Sequence, residues 1–367
     1  MFLVDAHLDL AMNALEWNRD LRQDVAAIRA RESGLTDKPD RGRATVSLPE
    51  MRRAHVGLVV ATQIARYVAP GNPLPGWHSP EQAWAQTQGQ LAWYREMERV
   101  GEMAAITDLA SLDAHLDLWT AAQESSDGQV AELPIGFIRS LEGADSLVSA
   151  EYLEHAVRDG LRALGPAHYG PGRYAPGTHT SGSLEPHGPA LLAAMERLGV
   201  ILDVTHLSDA SLWQALDLFG GAVWASHHNV RALVPDQRQL PDDQIKAIVA
   251  RGAVIGASCD AWMIVPGWVR GTSTPQSTGC TFDRLADHVL HICSLAGSTR
   301  HVCIGSDLDG AFGTEQTPSD LDTIADLHTL CDVLSSRGFT DDDVERFRWR
   351  NVVDFLRAHW ADRRWIA

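Results

Sequence analysis

The stretch GVILDVTH, residues 199–206, decides the fold because a short β-branched, apolar run ends there in a polar histidine. The run is too short for a helix, so it predicts a strand that is buried on both faces. Seven more runs of this kind recur along the chain, separated by longer amphipathic segments. The eight predicted strands are Phe2–Ala6, Val56–Ile64, Leu133–Leu141, Leu161–Ala167, Val200–Thr205, Ala222–Ser226, Ala253–Ser258 and Val302–Ser306.

The segments between these runs predict helices. They are Pro80–Val100, Ala150–Arg158, Pro189–Leu198, Asp209–Leu218, Asp242–Ala250 and Phe282–Leu295. Eight strands that alternate with helices are typical of an α/β fold with a closed parallel sheet, the TIM-like (β/α)8 barrel. The competing arrangement is an open, doubly wound sheet. Its usual Gly-rich turn after the first strand is absent here, which favours the barrel.

We expect residues 1–367 to form one domain, because no linker separates two self-sufficient cores. An apolar stripe within 340–360 predicts a C-terminal capping helix. Three long segments, Arg19–Pro49, Tyr169–Pro189 and Trp262–Gly279, each follow a predicted strand. In a parallel barrel such segments form extended loops over the C-terminal face of the strands, where substrates bind. Simple linkers are the alternative.

The charge balance limits the classes of partner. With 31 Lys+Arg against 48 Asp+Glu the net charge is −17, which argues against a nucleic acid or an anionic membrane as partner. No apolar run approaches the roughly 20 residues of a membrane span. The first residues, MFLVDAHLDL, lack a basic segment and a cleavage site, so we expect no signal peptide. Five cysteines without a CxxC pair predict no disulfide framework and a cytoplasmic location.

Polar residues follow six of the eight predicted strands at their carboxyl ends. A polar group that ends a buried strand must be paired or metal-bound, because leaving it unpartnered costs about 1–3 kcal/mol. Core packing does not readily explain polar residues at the equivalent ends of six strands. The six ends are DAHLD at 5–9, SLEG at 140–143, AHYG at 167–170, DVTH at 203–206, SHHN at 226–229 and GSDLDG at 305–310.

Histidine and carboxylate are the ligands that hold Zn²⁺ while leaving room for water. His7 and Asp9 alternate to the same face of an extended segment, although this pair alone could serve strand-end hydrogen bonds. Glu142 is suited to bridge two ions about 3.5–4 Å apart, and bound water with a pKa of about 7 would be the nucleophile. Asp307 could accept and pass on its proton. These residues predict a metal-dependent hydrolase.

Some assignments stay open at this point. His227 and His228 compete for one ligand position. Most of the sixteen histidines are expected to be structural or solvated. Trp262 and Trp268 are candidates for the wall of a substrate pocket.

Taken together, six motifs resemble those of the membrane (renal) dipeptidase family, a branch of the amidohydrolase-like barrels. They are DAHLD at 5–9, SLEG at 140–143, GVILDVTH at 199–206, ASHHN at 225–229, RQLPDD at 238–243 and IGSDLDG at 304–310. The resemblance runs from about residue 3 to about residue 312, and it is closest to the bacterial, cytoplasmic type. It implies a (β/α)8 barrel with two Zn²⁺ ions that hydrolyses the peptide bond of a free dipeptide. Relatives are often dimers, so it also implies a homodimer.

The resemblance assigns a role to each matched residue. It implies that His7 and Asp9 bind one ion and that His206 and His227 bind the other, with Glu142 bridging. It further implies that His168 polarises the substrate, that Arg238 holds the substrate's terminal carboxylate, and that Asp307 shuttles the proton.

One stretch departs from the family pattern. Many members carry a Leu-Thr-His-Asn-like sequence after the fourth strand, where this chain has PAHYGPGRY at 166–174. The departure adds Arg173 as a second candidate for binding a substrate anion. We therefore expect a binuclear zinc dipeptidase. The alternatives are a metal-dependent amidohydrolase acting on an N-acyl amino acid or a lactam, and a catalytically silent barrel.

Overall fold

Parallel strands form the central sheet of the computed structural model, which describes residues 2–124 and 129–361. In that part of the chain the strands are β1 Leu3–Leu8, β2 Val56–Gln63, β3 Met103–Ala105, β4 Ile135–Glu142, β5 Leu161–Gly165, β6 Ile201–Asp203, β7 Val223–Trp224, β8 Ile255–Ala257 and β9 Val302–Ile304. All eight predicted strands are present, several of them shorter than expected. The sequence analysis missed β3, whose three residues give too short an apolar run.

The sheet closes into a barrel. Its strands follow the order β7-β6-β5-β4-β2-β1-β9-β8, and a bridge between Ala225 and Ile255 joins the two ends. Ala225 N–H donates to the Val254 carbonyl at 3.0 Å, and Gly256 N–H donates to the Ala225 carbonyl at 2.9 Å. β3 lies outside this ring and pairs with the first residues of β4. The (β/α)8 barrel is therefore confirmed, and the open doubly wound sheet is excluded.

Two glycines allow the close approach of strands where the barrel closes. A Cβ atom on Gly256 would lie 1.9 Å from the Ser226 carbonyl oxygen, and one on Gly305 would lie 1.8 Å from the same oxygen. The Ser226 backbone thus fits between β8 and β9 only because both positions lack a side chain. This packing fixes the position of His227, the next residue along the chain.

Helices surround the barrel. They are α1 Leu10–Glu16, α2 Val25–Glu32, α3 Leu48–Arg53, α4 Pro80–Arg99, α5 Leu109–Glu124, α6 Tyr152–Arg158, α7 Gly188–Leu198, α8 Asp209–Leu218, α9 Asp242–Ala250, α10 Ala261–Ile264, α11 Pro275–Thr278, α12 Phe282–Ala296, α13 Leu327–Ser336, α14 Asp341–Glu345 and α15 Asn351–Trp360. The six predicted helices agree to within two residues at each end. Among the described residues, none of the helices is both long and apolar enough to cross a membrane.

The end of the chain packs against the amino-terminal ends of the strands. A π-helical turn, Arg346–Arg350, joins α14 to α15. The Asn351 side chain donates to the carbonyl of Val302, the first residue of β9, at 2.8 Å. Phe355 packs against Trp224 with 5.6 Å between ring centroids and the ring planes tilted by 31°. The carboxyl ends of the strands therefore remain open on the opposite side of the barrel.

A buried arginine holds the segment that follows the first strand. Arg19 pairs with Glu32 at 2.8 Å and with Asp40 at 2.9 Å, all within the segment. It also lies 3.3 Å from Asp309, beyond the end of β9. This predicted loop region contains α2 and the beginning of α3, and its buried ion pairs fasten it to the rim of the barrel.

Candidate active site

A cavity of about 530 Å³ opens at the carboxyl ends of the strands. The segments that follow β1, β2, β5, β8 and β9 all contribute to its walls. Lys38, Tyr169 and Trp262, one from each of the three predicted loops, line the cavity, as does Arg270. Each of the three predicted loops therefore has at least one residue over the C-terminal face of the strands, as expected. Trp268 lies outside the cavity lining.

Glu142, the last residue of β4, lies at the centre of a cluster of imidazoles at the cavity floor. Its Oε1 lies 3.1 Å from His206 Nε2, 3.5 Å from His227 Nε2 and 3.5 Å from His7 Nε2. The Nε2 atoms of His206 and His227 are themselves 3.1 Å apart. Four candidate ligands from four strand ends thus point at one small volume.

Asp9 and Asp307 extend the cluster on the side of His7. His7 Nε2 lies 4.0 Å from Asp9 Oδ1 and 3.8 Å from Asp307 Oδ1. Asp9 also accepts a hydrogen bond from the Thr62 hydroxyl. His7 Nε2 is buried and has no hydrogen-bond partner in the described part of the chain.

Hydroxyl groups hold the other nitrogen of each imidazole. Ser226 Oγ lies 3.2 Å from His7 Nδ1 and 3.0 Å from His227 Nδ1. Thr178 Oγ1 lies 2.8 Å from His206 Nδ1. Contacts of this kind fix the ring orientation of metal-binding histidines. Here they leave the three Nε2 atoms facing Glu142.

The backbone is strained at two of these positions. His206 has a φ of 68° and Asp307 a φ of 59°, in the left-handed region that non-glycine residues rarely adopt. Such conformations cost about 1–3 kcal/mol each and persist only where the surrounding structure holds them. They are concentrated at the ends of β6 and β9, where the side chains turn into the cavity.

Burial shifts the titration of the cluster. It lowers the pKa of His7 to about 3 and holds the pKa values of His206 and His227 well below 6.5. It raises the pKa of Asp9 to about 6 and that of Glu142 well above its usual range. The imidazoles are therefore neutral, which is the form that binds metals, and a cation bound among the carboxylates would favour their charged form.

These features fit a divalent metal site. Groups of three ligand atoms within 4.8 Å of one another occur at His7–Glu142–His227, Glu142–His168–His206 and His7–Asp9–Asp307. Neutral imidazoles with buried carboxylates are a donor set for zinc and similar ions. A cation would offset the cost of burying several carboxylates together and would give His7 Nε2 a partner.

Arg238 lies beside the cluster in the loop after β7. Its Nη2 donates to the His227 carbonyl at 2.8 Å, and its Nη1 lies 3.0 Å from His228 Nδ1. His228 thus contacts the arginine, whereas its neighbour His227 faces Glu142. The structure therefore places His227 among the candidate ligands and His228 against Arg238.

One known protein family matches this chain over nearly its whole length. The model of the membrane dipeptidase family, peptidase family M19, matches residues 1–363. The chain belongs to the membrane dipeptidase family. The resemblance drawn from the six motifs is therefore confirmed over nearly the whole chain.

Curated relatives of this family member match about half of it. An uncharacterized dipeptidase of Schizosaccharomyces pombe is 26% identical over 174 residues, which are 47% of this chain and 40% of the relative. Dipeptidase tcpJ of Claviceps purpurea is 29% identical over 177 residues, 47% of this chain and 38% of the relative. The matched part of the chain thus spans well under two thirds of these relatives.

Solved structures share the fold of this family member over its full length. The metallopeptidase dipeptidase AC superimposes with a TM-score of 0.77 at 21% identity, covering 98% of this chain and 99% of that one. A metallopeptidase from Rhodobacter sphaeroides, liganded with a phosphinate mimic of the dipeptide L-Ala-D-Ala, gives 0.75 at 20% identity with the same coverage. At these identities the likeness establishes the barrel architecture alone.

The structure does not bring Arg173 to the cavity. Its guanidinium donates to the carbonyls of Leu147 and Val148, and its backbone N–H donates to Asp145 at 2.9 Å. These contacts hold Arg173 within its own loop, so the expectation that it binds a substrate anion is dropped.

Two cavity residues were missed by the sequence analysis. Arg66, after β2, has its Nη2 2.6 Å from His168 Nδ1. Asp260, after β8, accepts from Gln316 at 2.8 Å, and burial raises its pKa to about 7. Both follow apolar runs, and Asp260 stands two residues beyond the predicted strand Ala253–Ser258. A charged residue just after a strand was the signal that could have identified it.

Proposed function

We propose that this member of the membrane dipeptidase family is a binuclear zinc dipeptidase that hydrolyses the peptide bond of small free dipeptides. The observation that carries the proposal is the position of Glu142, whose carboxylate oxygen lies within 3.5 Å of the Nε2 atoms of three histidines. A carboxylate shared between imidazoles from opposite sides of a barrel is suited to bridge two ions.

Five residues would hold the ions. His7 and Asp9 would bind one, His206 and His227 the other, and Glu142 both. When bound, the two ions would lower the pKa of water and polarise the scissile carbonyl. The serine and threonine hydroxyls behind the imidazoles would keep the ligands in place through the reaction.

The chain's other polar groups would bind and orient the substrate. The Arg238 guanidinium forms no ion pair with a carboxylate among the described residues, and it retains N–H donors beyond its contacts with His227 and His228. Such a planar, unpaired group suits the terminal carboxylate of a dipeptide. Asp307 Oδ1, 3.8 Å from His7 Nε2, would accept a proton from water and return it to the leaving amine.

His168 would stabilise negative charge on the substrate's carbonyl oxygen. Its Nε2 lies 3.8 Å from Glu142 Oε1, so the ring edge faces the cluster. A donor already in place where charge develops contributes to the rate without reorganisation. A cavity of about 530 Å³ accommodates a substrate of two residues better than a long peptide.

A substrate panel tests the proposal. Zinc-loaded protein is assayed on L-L and L-D dipeptides, tripeptides and N-acyl amino acids. We expect cleavage of dipeptides and little or none of tripeptides, since the unpaired Arg238 would bind a carboxylate one residue beyond the scissile bond. Turnover of N-acyl substrates alone would overturn the dipeptidase assignment in favour of another amidohydrolase activity.

Two substitutions test the metal assignment. We expect Glu142→Gln and His206→Ala each to remove bound metal and reduce activity to background without unfolding the protein, because each removes a central ligand. Metal content is measured by mass spectrometry and folding by circular dichroism. Glu151→Gln and His155→Ala, which change exposed side chains, are the matched controls. Full metal content in both test variants would contradict the assignment.

Two further expectations from the family resemblance remain predictions. A homodimer is tested by sedimentation of the purified chain, and a cytoplasmic location by fractionation of the cells that express it.

A further inference from the structure

We infer that Arg66 is a positioning residue that fixes the tautomer of His168, so that His168 acts as an Nε2–H donor and not as a further metal ligand. The inference rests on the proposed function for its catalytic meaning. Its structural content, the location of one proton, is independent of the substrate.

The contact between the two side chains determines the tautomer. Arg66 Nη2 lies 2.6 Å from His168 Nδ1. A guanidinium carries only N–H donors and has no lone pair to offer. His168 Nδ1 must therefore accept, and in a neutral imidazole the remaining proton then resides on Nε2.

Without the contact to Arg66, the position of His168 would allow two roles, as a metal ligand or as a hydrogen-bond donor. Its ligand atom lies within 4.8 Å of those of Glu142 and His206, so it could complete a metal site. Its Nε2 also faces the cavity, where it could donate to a substrate oxygen. A protonated Nε2 cannot bind a metal, so the Arg66 contact selects the donor role.

Hydrogen bonds within the segment after β2 hold Arg66 in place. Its Nη1 donates to the Pro75 carbonyl at 2.9 Å. Its own carbonyl accepts from Trp77 N–H at 2.8 Å, and Val68 N–H donates to the Trp77 carbonyl at 2.9 Å. The segment after β2 therefore folds back on itself and presents the guanidinium to His168.

The first test locates the proton. Zinc-loaded protein with ¹⁵N-labelled histidine is studied by NMR, and His168 is assigned by comparison with His168→Gln. We expect a protonated Nε2 and an unprotonated Nδ1 in the wild type, and a mixture of tautomers in Arg66→Met. A proton on Nδ1, or a metal-bound Nε2, in the wild type would overturn the inference.

The second test measures metal content. We expect His168→Gln and Arg66→Met to retain the same number of bound ions as the wild type, because neither side chain is a ligand. Loss of one ion in His168→Gln would identify His168 as a ligand and overturn the inference. This readout requires no activity.

The third test uses kinetics. We expect Arg66→Met to lower kcat by about tenfold or more with a smaller change in KM, because an oriented donor to the transition state is lost. Arg66→Gln, whose amide N–H₂ can still donate to Nδ1, should recover most of that loss. Arg95→Met, a change at an exposed arginine that is paired with Asp159, is the control. Equal losses in Arg66→Met and Arg66→Gln would contradict the tautomer role.

The tests separate this inference from the proposed function. If the wild type cleaves no dipeptide, the dipeptidase proposal fails, while the NMR and metal measurements still decide the tautomer. If dipeptides are cleaved and His168 proves to be a ligand, only the inference about Arg66 fails.

Discussion

Ser226 shows how one small side chain organises the candidate metal site. Its hydroxyl contacts Nδ1 of both His7 and His227, which lie far apart in the sequence. A hydroxyl oxygen has two lone pairs and can accept from both Nδ1–H groups, so it holds two candidate ligands in register and leaves their Nε2 atoms free to bind metal. The orientation of these two candidate ligands therefore requires a hydroxyl group at this position.

Replacing Ser226 tests that requirement. We expect Ser226→Ala to weaken metal binding by about 10–100-fold while the fold is retained, because two candidate ligands lose the contact that orients them. Metal affinity is measured by competition with a chelator. Ser211→Ala, which also removes a buried hydroxyl but lies on α8, serves as the control. Unchanged affinity in Ser226→Ala would show that packing alone orients the rings.

His288 predicts a pH dependence of stability away from the site. It is buried in α12, accepts from Val230 N–H at 3.0 Å, and lies 3.0 Å from the Ile264 carbonyl. Burial lowers its pKa to about 4. The unfolded chain, with an ordinary pKa near 6.5, therefore binds a proton that the folded protein does not.

Because the unfolded chain binds the extra proton, the free energy of unfolding falls as the pH falls. The contribution of His288 is complete above pH 6.5 and is lost as the pH falls towards 4, by roughly 2 kcal/mol between pH 6.5 and 5. Urea unfolding at both pH values measures it. We expect His288→Gln to be less stable at pH 7 but to lose less stability on acidification than the wild type. An equal loss in both proteins would assign the dependence to other groups, and His155→Gln controls for an exposed histidine.

At the scale of elements, the barrel closes where β8 and β9 meet the end of β7. We expect Gly305→Ala to destabilise the protein by about 1–3 kcal/mol or more, because its Cβ would overlap the Ser226 carbonyl oxygen and the backbone must move. Chemical denaturation measures the change. Gly89→Ala, on the exposed side of α4 with no atom closer than 4.0 Å to the new Cβ, should instead stabilise by about 0.5–1 kcal/mol. Destabilisation of both variants alike would contradict the packing argument.

Elements also differ in how well their sequences predict them. α8 and α9 begin and end at the predicted residues, because Ser208 caps the first and Pro241 precedes the second. β7 shortens from the predicted Ala222–Ser226 to two residues, since the chain bends towards the cavity at its end. The segment Arg19–Pro49 was expected as a loop, yet buried pairs of Arg19 support a helix there. Those pairs are tertiary contacts that no local pattern reveals.

At the scale of the whole molecule, we propose that the chain is one domain. α15 packs at the amino-terminal ends of the strands and the candidate ligands lie at the carboxyl ends, so both depend on the same barrel. We expect one cooperative thermal transition, and a lower midpoint after chelation, because ions that bind only the folded state stabilise it. Differential scanning calorimetry measures both. Two separate transitions, or a midpoint that chelation leaves unchanged, would contradict this expectation.

The sequence by itself determined the barrel and the residues that meet at its open end. Apolar runs of strand length and amphipathic segments between them are local properties, and parallel strands necessarily bring their carboxyl ends to one side. His7, Glu142, His206 and His227 therefore converge for a reason that can be read along the chain.

Only the tertiary structure decided which loop side chains complete the cavity. Arg66 reaches His168 from a segment of irregular backbone. Arg173 follows His168 closely in the sequence, but it is held by the carbonyls of Leu147 and Val148. The direction of a side chain on a loop is set by contacts with distant segments and has no period along the sequence. For that reason the strand ends were predictable, whereas the contact between Arg66 and His168 was not.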